Sequence, residues 1–347
     1  MKKILVITNA LPSKSFPFSA KFVLNIAEGL KEKEFEPIIV GIKTKKTNIL
    51  GTTFKYIYLL LKFFPNLFKN YDIVHVHFFF PTIILGYLYK VFHPKVVLVS
   101  TFHGSDISFN INSWLSQVIF KAISKKINTK ISVSNYLSFV VKKKLDYNPE
   151  KIISAGIDNK VFFQKKSKKE YDFLFVGALS KIKGLDFFLK ALESLETSCS
   201  IRIIGTGNLK REVLDFIKRT HHTTFYSTHL SQKDLCNEYN KSRFLILPSR
   251  SEGFGLVVSE SMFCGTPVVG SNIGGIPEQI VDGYNGYLFN LNNESGLKIK
   301  MNQCLNKTNI EYKKMSENAK NSNRHHEMGV VIQRHLDIYL SGEGLTN

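Results

Sequence analysis

The sequence predicts an α/β protein built from two doubly wound, Rossmann-like domains. Three observations carry this. Apolar runs of strand length alternate with helix-period segments along the chain. The series halts once, at a polar, lysine-rich stretch between residues 154 and 171, and then restarts. The length, 347 residues, suits two domains better than one.

The first series of strands reads KILVIT (3–8), PIIVGI (37–42), IVHVHF (73–78), VVLVSTF (96–102) and KISVS (130–134). Each is apolar nearly throughout, as in a parallel sheet covered on both faces. Between the first two lies a helix with Phe22, Val23, Ile26, Ala27 and Leu30 on one stripe. The second series reads FLFVG (173–177), IRIIG (201–205), TTFY (223–226), FLILP (244–248) and TPVVG (266–270). Helices are expected at 184–195, 209–219, 255–264 and 328–340, and a further one opening at Gly274-Gly275. The expected domains are 1–165, 166–325 and a terminal helical segment 326–347. In wound domains of this kind, ligands bind at the carboxyl ends of the strands.

Composition narrows the class. Hydrophobic residues make up 44% and charged residues 22%, as in a soluble globular chain with ample core. Cys199, Cys236, Cys264 and Cys304 fit no metal-ligand spacing and read as reduced, buried thiols of a cytoplasmic protein. The N-terminus reads as a first strand and not as a signal peptide. No run is long and apolar enough to span a bilayer. The net charge is +19 and unevenly placed: residues 1–170 hold 27 Lys, no Arg and 10 acids (27 − 10 = +17), and the remainder carries +2. A lysine-rich genome would act on both halves alike, so the asymmetry points to an anionic partner of the first half. The lysine-flanked aromatic run Phe54–Phe64 reads equally as a membrane-surface helix or as a core helix. Nucleic acid is not expected as a partner, since no recognition motif or Arg-rich face is present.

The chemistry concentrates in Ser251-Glu252-Gly253-Phe254-Gly255-Leu256-Val257-Val258-Ser259-Glu260. A Gly-Phe-Gly turn opens a helix, and a helix N-terminus favours anions. Glu252 stands at the mouth of the turn and Glu260 about two helical turns further on. A phosphate cradle beside two carboxylates suits a ligand with phosphate at one end and diols around it, as in a nucleotide-sugar.

Pro248-Ser249 precedes this run, and Gly265-Thr266-Pro267-Val268-Val269 and Gly274-Gly275-Ile276-Pro277-Glu278 follow it. In this order and spacing the chain resembles glycosyltransferase family 4, the retaining group 1 enzymes of the GT-B fold, a type common in bacterial polysaccharide biosynthesis. Other elements extend the resemblance. Thr101-Phe102-His103-Gly104-Ser105-Asp106 matches a His-Gly-x-Asp element that faces the donor sugar. Gly177-Ala178-Leu179-Ser180-Lys181-Ile182-Lys183-Gly184 matches a Gly-Arg-Leu…Lys-Gly element that neutralises the diphosphate, with Ala178 in place of the Arg. Ile203–Gly207 matches a glycine loop near the nucleotide. The loop from Leu11 to Lys21 carries Ser19-Ala20-Lys21 where the family has a glycine.

The resemblance implies a metal-independent hexosyltransferase with no cofactor. His103 and Glu252 would be catalytic. Lys183, Gly253, Phe254, Gly255, Leu256 and Glu260 would hold the donor, a UDP- or GDP-linked sugar. Asp106, Lys181 and Gly205 are further expected contacts to donor or acceptor. The acceptor would be a glycan or a lipid-linked hydroxyl. The setting would be the cytoplasm or the inner face of its membrane. No Asp-x-Asp pair occurs, so no metal site is expected. The departures at Ala178 and in the Ser19-Ala20-Lys21 loop leave one alternative, a GT-B partner subunit of weak activity, and the likeness of fold leaves another, a nucleotide-sugar epimerase.

Overall fold

The structure, a computed structural model, describes residues 1–13, 19–43, 49–104, 106, 114–146 and 149–341. Ser105 and most of the loop between Leu11 and Lys21 lie outside the described residues. The chain forms two compact units, Met1–Gly156 with the segment from Met328 onward, and Ile157–Glu327. The division falls at Gly156, ahead of the sequence-based boundary at 165/166. In the second unit the Ile157 N–H donates to the His326 carbonyl at 2.8 Å, so this strand-like pairing belongs to that unit.

The first unit holds β1 (Lys2–Leu11), β2 (Phe35–Lys43), β3 (Ile73–His77), β4 (Val97–Phe102), β5 (Thr129–Ser132) and β6 (Lys151–Ile152). They form a parallel sheet in the order β2-β1-β3-β4-β5-β6. Its helices are α1 (Lys21–Lys31), α2 (Ile49–Phe63), α3 (Phe79–Phe92), α4 (Trp114–Ser124) and α5 (Asn135–Leu145). Helix α1 buries Val23, Ile26, Ala27 and Leu30, the stripe read from the sequence. Helix α2 decides between the two readings of its aromatic run. Leu59 and Phe63 are buried, whereas Phe54, Ile57, Tyr58, Leu60 and Leu61 are exposed. It is not a core helix.

The second unit holds β7 (Tyr171–Val176), β8 (Ser200–Ile204), β9 (Thr223–Ser227), β10 (Ser242–Leu247), β11 (Val268–Ser271) and β12 (Gly286–Phe289). The helices are α6 (Leu185–Glu193), α7 (Lys210–Arg219), α8 (Gln232–Lys241), α9 (Leu256–Phe263), α10 (Gly296–Leu305) and α11 (Asn309–Ser322). The sheet is parallel, ordered β12-β11-β10-β7-β8-β9. Phe173, Phe175, Ile201, Ile203, Phe244 and Ile246 point to one core layer. Leu174, Val176, Ile204, Leu245 and Leu247 point to the other. This alternation buries both faces, which is why these strands lack a polar side. Strand order reverses between β7 and β10, the place where wound sheets open a crevice at their carboxyl ends. The last helix, α12 (Met328–Ser341), belongs to the first unit and adds Val331, Leu336 and Tyr339 to its core.

Three elements differ from expectation. Strand β6, absent from the sequence reading, pairs with β5. The helix expected at Gly274-Gly275 is a single 3-10 turn, Ile276–Glu278. Asn285 ends it, accepting from the Val281 N–H at 2.8 Å and donating to the Gln279 carbonyl at 3.0 Å. These are backbone groups that a continuing helix would use. Strand β12, absent from the sequence reading, then pairs with β11.

Candidate active site

In the second unit the chain leaves β7 and β10 side by side and builds a loop on each. The loop after β7 brings Lys183 to the start of α6, and the loop after β10 brings Glu252 to the start of α9. Lys183 Nζ donates to Glu252 Oε2 at 2.6 Å, and Ser249 Oγ donates to the same oxygen at 3.3 Å. Both charged side chains remain partly open, 30% for Lys183 and 15% for Glu252. The two residues singled out from separate motifs therefore meet at the topological switch point of the sheet.

Helix α9 starts at Gly255, whose φ of 87° lies in the left-handed region that glycine enters without steric cost. No side chain caps this N-terminus, where the Val258 N–H donates to the Gly255 carbonyl at 2.9 Å, and the helix dipole there favours an anion. The turn is fixed from behind. A Cβ on Gly274 would lie 2.0 Å from the Glu252 carbonyl oxygen, so only glycine lets the two loops touch. The Gly275 N–H donates to that carbonyl at 3.2 Å. Gln279, buried, donates through Nε2 to the Phe254 carbonyl at 2.6 Å and accepts from Ser259 Oγ. Phe254 is itself buried, its ring edge-on to His326.

Glu260 points off α9 toward α8, where the Tyr239 hydroxyl donates to its Oε2 at 2.9 Å. Burial of the carboxyl pushes it up to about 7, against the pull of the tyrosine. Tyr239 lies wholly in the core, and Thr266 Oγ1 donates to its carbonyl at 2.7 Å, so Glu260 is held from beneath.

Two of the residues expected near donor or acceptor, Lys181 and Gly205, make the following contacts within the chain. Lys181 is exposed, and its carbonyl accepts from Arg250. Gly205 is engaged through its backbone: its N–H donates to the Ser227 carbonyl at 3.0 Å, and its carbonyl accepts from Tyr226 Oη at 3.1 Å. Ala178, where the family has Arg, is exposed. The cation found near the Lys183 loop is Arg250. Its N–H donates to the Ile182 carbonyl at 2.7 Å and its guanidinium grips Asp186 at 2.6 and 3.0 Å. It braces the loop that carries Lys183.

In the first unit, His103 follows β4. Its Nε2 lies 3.2 Å from His77 Nδ1, and Phe22 and Phe78 pack on its ring. Burial pushes the imidazole down to about 3, with His335 adding to the shift, so His103 is neutral at ordinary pH. His75 continues the cluster, 2.6 Å from Tyr339 Oη and 2.8 Å from Thr101 Oγ1. Asp106 is buried and faces backbone. It accepts from the N–H groups of Phe79 at 2.6 Å, Gly104 at 2.8 Å and His103 at 3.2 Å. Burial nonetheless raises it to about 6. Its contacts set the His103 loop on the start of α3. Ala20, at the start of α1, has φ 46°, a left-handed conformation that glycine takes more easily.

Sequence reasoning missed Gln279, Tyr239, Arg250 and His77. Gln279 and Arg250 adjoin motifs already noted. Tyr239 and His77 act through contacts distant in sequence and carry no local signal. Among the described residues no group of three or more His, Cys, Asp or Glu is placed to hold a metal ion. The four cysteines are free and buried.

Comparisons with known proteins identify the family and the fold. The profile of glycosyl transferases group 1 matches residues 157–322, and that of glycosyltransferase family 4 matches residues 19–159. An uncharacterised glycosyltransferase of Methanocaldococcus jannaschii is 29% identical over 84% of this chain and 82% of its own. The N-acetyl-alpha-D-glucosaminyl L-malate synthase of Bacillus anthracis is 28% identical over 73% of this chain and 70% of its own. Among solved structures, a sucrose-phosphate synthase of Thermosynechococcus elongatus superposes with TM-score 0.78 at 14% identity, covering 98% of this chain and 99% of that one. Anabaena HepE in complex with UDP-glucose gives 0.76 at 15%, covering 98% and 100%. The chain is a glycosyltransferase of the GT-B fold and belongs to the group 1 glycosyltransferases of family 4 type.

Proposed function

We propose that the protein transfers a hexosyl group, with retention of configuration, from a nucleotide-diphosphate sugar to a hydroxyl of a glycan or lipid-linked acceptor. The observation that carries this is the Lys183–Glu252 pair, 2.6 Å apart at the switch point beside the uncapped start of α9. An ammonium and a helix N-terminus together stabilise a departing diphosphate. On this reading the donor diphosphate takes Lys183 and the Gly253–Leu256 turn, and Glu252 exchanges its lysine for sugar hydroxyls. The ribose hydroxyls donate to Glu260. The acceptor hydroxyl attacks from the face that the diphosphate leaves, and a diphosphate oxygen takes its proton. No metal or cofactor forms part of this scheme.

The second unit is the donor domain and the first the acceptor domain. His103 is assigned to the reacting centre by the match of His103-Gly104-x-Asp106 to the family element. HepE is described with UDP-glucose, and a UDP- or GDP-linked sugar is the donor class proposed here. The cytoplasmic face of a membrane, site of cell-surface polysaccharide assembly, is the proposed setting, because the first half of the chain carries most of the positive charge.

A panel of nucleotide-sugars tests this by thermal stabilisation of the pure protein, followed by transfer assays with the one that binds. Glu252→Gln is expected to keep the fold and lose nearly all transfer, with a charge-assisted contact of about 1.5–3 kcal/mol removed. Wild-type transfer by this variant would remove Glu252 from the reaction.

A further inference from the structure

Helix α2 is amphipathic with its apolar side turned outward. Leu50, Phe54, Ile57, Leu61 and, beyond the helix end, Phe64 and Phe68 follow one another at helical spacing, and all are exposed, Phe54 at 69% and Phe68 at 70%. Tyr58 and Leu60 widen the stripe. Leu59 and Phe63, both buried, hold the helix from its inner side. A stripe this continuous exceeds the scattered apolar residues of an ordinary surface and marks a surface that is covered in use.

Charge selects what covers it. From residue 37 to residue 71 the chain has six lysines and no Asp or Glu. Lys62 and Lys69 are exposed, and Lys62 Nζ lies over the Tyr58 ring at 4.8 Å, an ammonium beside the aromatic stripe. Lys55 lies half-covered, and burial lowers its affinity for the proton. A second copy of the same face would set these lysines against lysines, which opposes a symmetric contact. An anionic lipid surface matches both features, with acyl chains for the stripe and phosphates for the lysines. The helix has 15 residues, short of the roughly 20 needed to cross a bilayer. Among the described residues no helix is long and apolar enough to cross one. A helix of this kind lies flat in the headgroup region.

We infer that α2, continued by Phe64 and Phe68, is the element through which the protein docks on an anionic membrane. The inference deepens the proposed membrane setting and rests on it. Docking places the first unit against the layer where a lipid-linked acceptor hydroxyl is presented.

Flotation of the full chain with vesicles tests it, using phosphatidylcholine alone and an equimolar mixture with phosphatidylglycerol. The wild type should float with the mixed vesicles and not with the neutral ones, and salt should reduce binding. The Phe54→Ser/Leu61→Ser pair should lower the partition coefficient at least about tenfold, since two large apolar side chains no longer enter the lipid. Lys62→Glu/Lys69→Glu should abolish the preference for phosphatidylglycerol. Donor hydrolysis should be unchanged in both pairs, because all four residues are exposed and distant in sequence from the donor motifs. The thermal midpoint should be unchanged in the Phe54/Leu61 pair and fall only slightly in the lysine pair, where Lys62 Nζ loses its 3.4 Å hydrogen bond to the Gly41 carbonyl. If the wild type floats and the Phe54/Leu61 pair floats equally, α2 is not the docking element, although the membrane setting survives. If the wild type floats with neither vesicle, the setting fails as well. A wild type that sediments as a dimer, with the Phe54/Leu61 pair a monomer, would assign the stripe to a second copy and overturn the inference.

Discussion

Glu260 offers the sharpest test of the donor site, because its carboxyl titrates near neutrality at about 7. The perturbation is pH, and the control is Glu260→Gln. On the proposed reading, ribose hydroxyls donate to the ionised carboxylate, so binding selects that form. With a pKa of about 7, roughly one-tenth of the free protein carries the carboxylate at pH 6 and about nine-tenths at pH 8. Donor affinity should therefore rise about tenfold between these pH values, with about half a proton released per donor bound at pH 7. Because the residue is half-buried and partly screened by solvent, tenfold is the ceiling. Tyr239 and Cys264, the titratable neighbours, are both pushed above this range. Cys236, 3.7 Å from Cys264 and pushed down to about 6 by that contact, is separated from Glu260 by the Glu260→Gln control. Calorimetry with an intact nucleotide-sugar, in buffers of different ionisation enthalpy, reads affinity and proton release together. Glu260→Gln should bind more weakly and show a flat profile. The empty protein should show the counterpart in stability. Between about 4.5 and 7 the unfolded carboxyl ionises before the folded one, so the stability of the wild type relative to Glu260→Gln falls as pH rises through that window. Equal wild-type affinity at pH 6 and pH 8, or a Glu260→Gln profile that follows the wild type, would refute the assignment.

Other outcomes follow from the same contacts. Gln279→Leu strands the Phe254 carbonyl and Ser259, and should weaken donor binding and lower the thermal midpoint by the equivalent of about 1–3 kcal/mol; an unchanged dissociation constant would show that the turn holds itself. His103→Ala should lower turnover far more than donor affinity, measured separately, and the reverse pattern would place His103 in donor binding. His77→Asn, which keeps a polar atom near the Nδ1 position, should retain more turnover than His77→Leu; equal turnover would make the 3.2 Å contact irrelevant to His103. Ala20→Gly should raise the thermal midpoint, since relief of the left-handed strain, about 1 kcal/mol, exceeds the added chain entropy. A drop in midpoint would mean that Ala20 is not strained.

Five strands of each six-stranded sheet and the amphipathic face of α1 were legible in the sequence, because burial on two faces or one stripe writes directly into residue type. The Glu252–Glu260 run was legible because a glycine turn and a helix start are local devices. Glycines 274 and 275 could be read as a motif, but their reason, the Glu252 carbonyl 2.0 Å from where a Cβ would stand, belongs to another loop. Strand β12 was not legible, since its four residues acquire strand character from pairing with β11. The Phe54–Phe64 run was ambiguous because an apolar stripe has the same period whether it faces a core or a solvent boundary. Only packing chose, by burying Leu59 and Phe63 and leaving the opposite side open. The meeting of Lys183 with Glu252, the tyrosine beneath Glu260 and the histidine behind His103 were likewise decided by tertiary structure. Each joins residues at least 21 apart in the chain, brought together by strand order. Local sequence determines which segments become strands and where a phosphate could sit, and the order of the strands determines which side chains share that place.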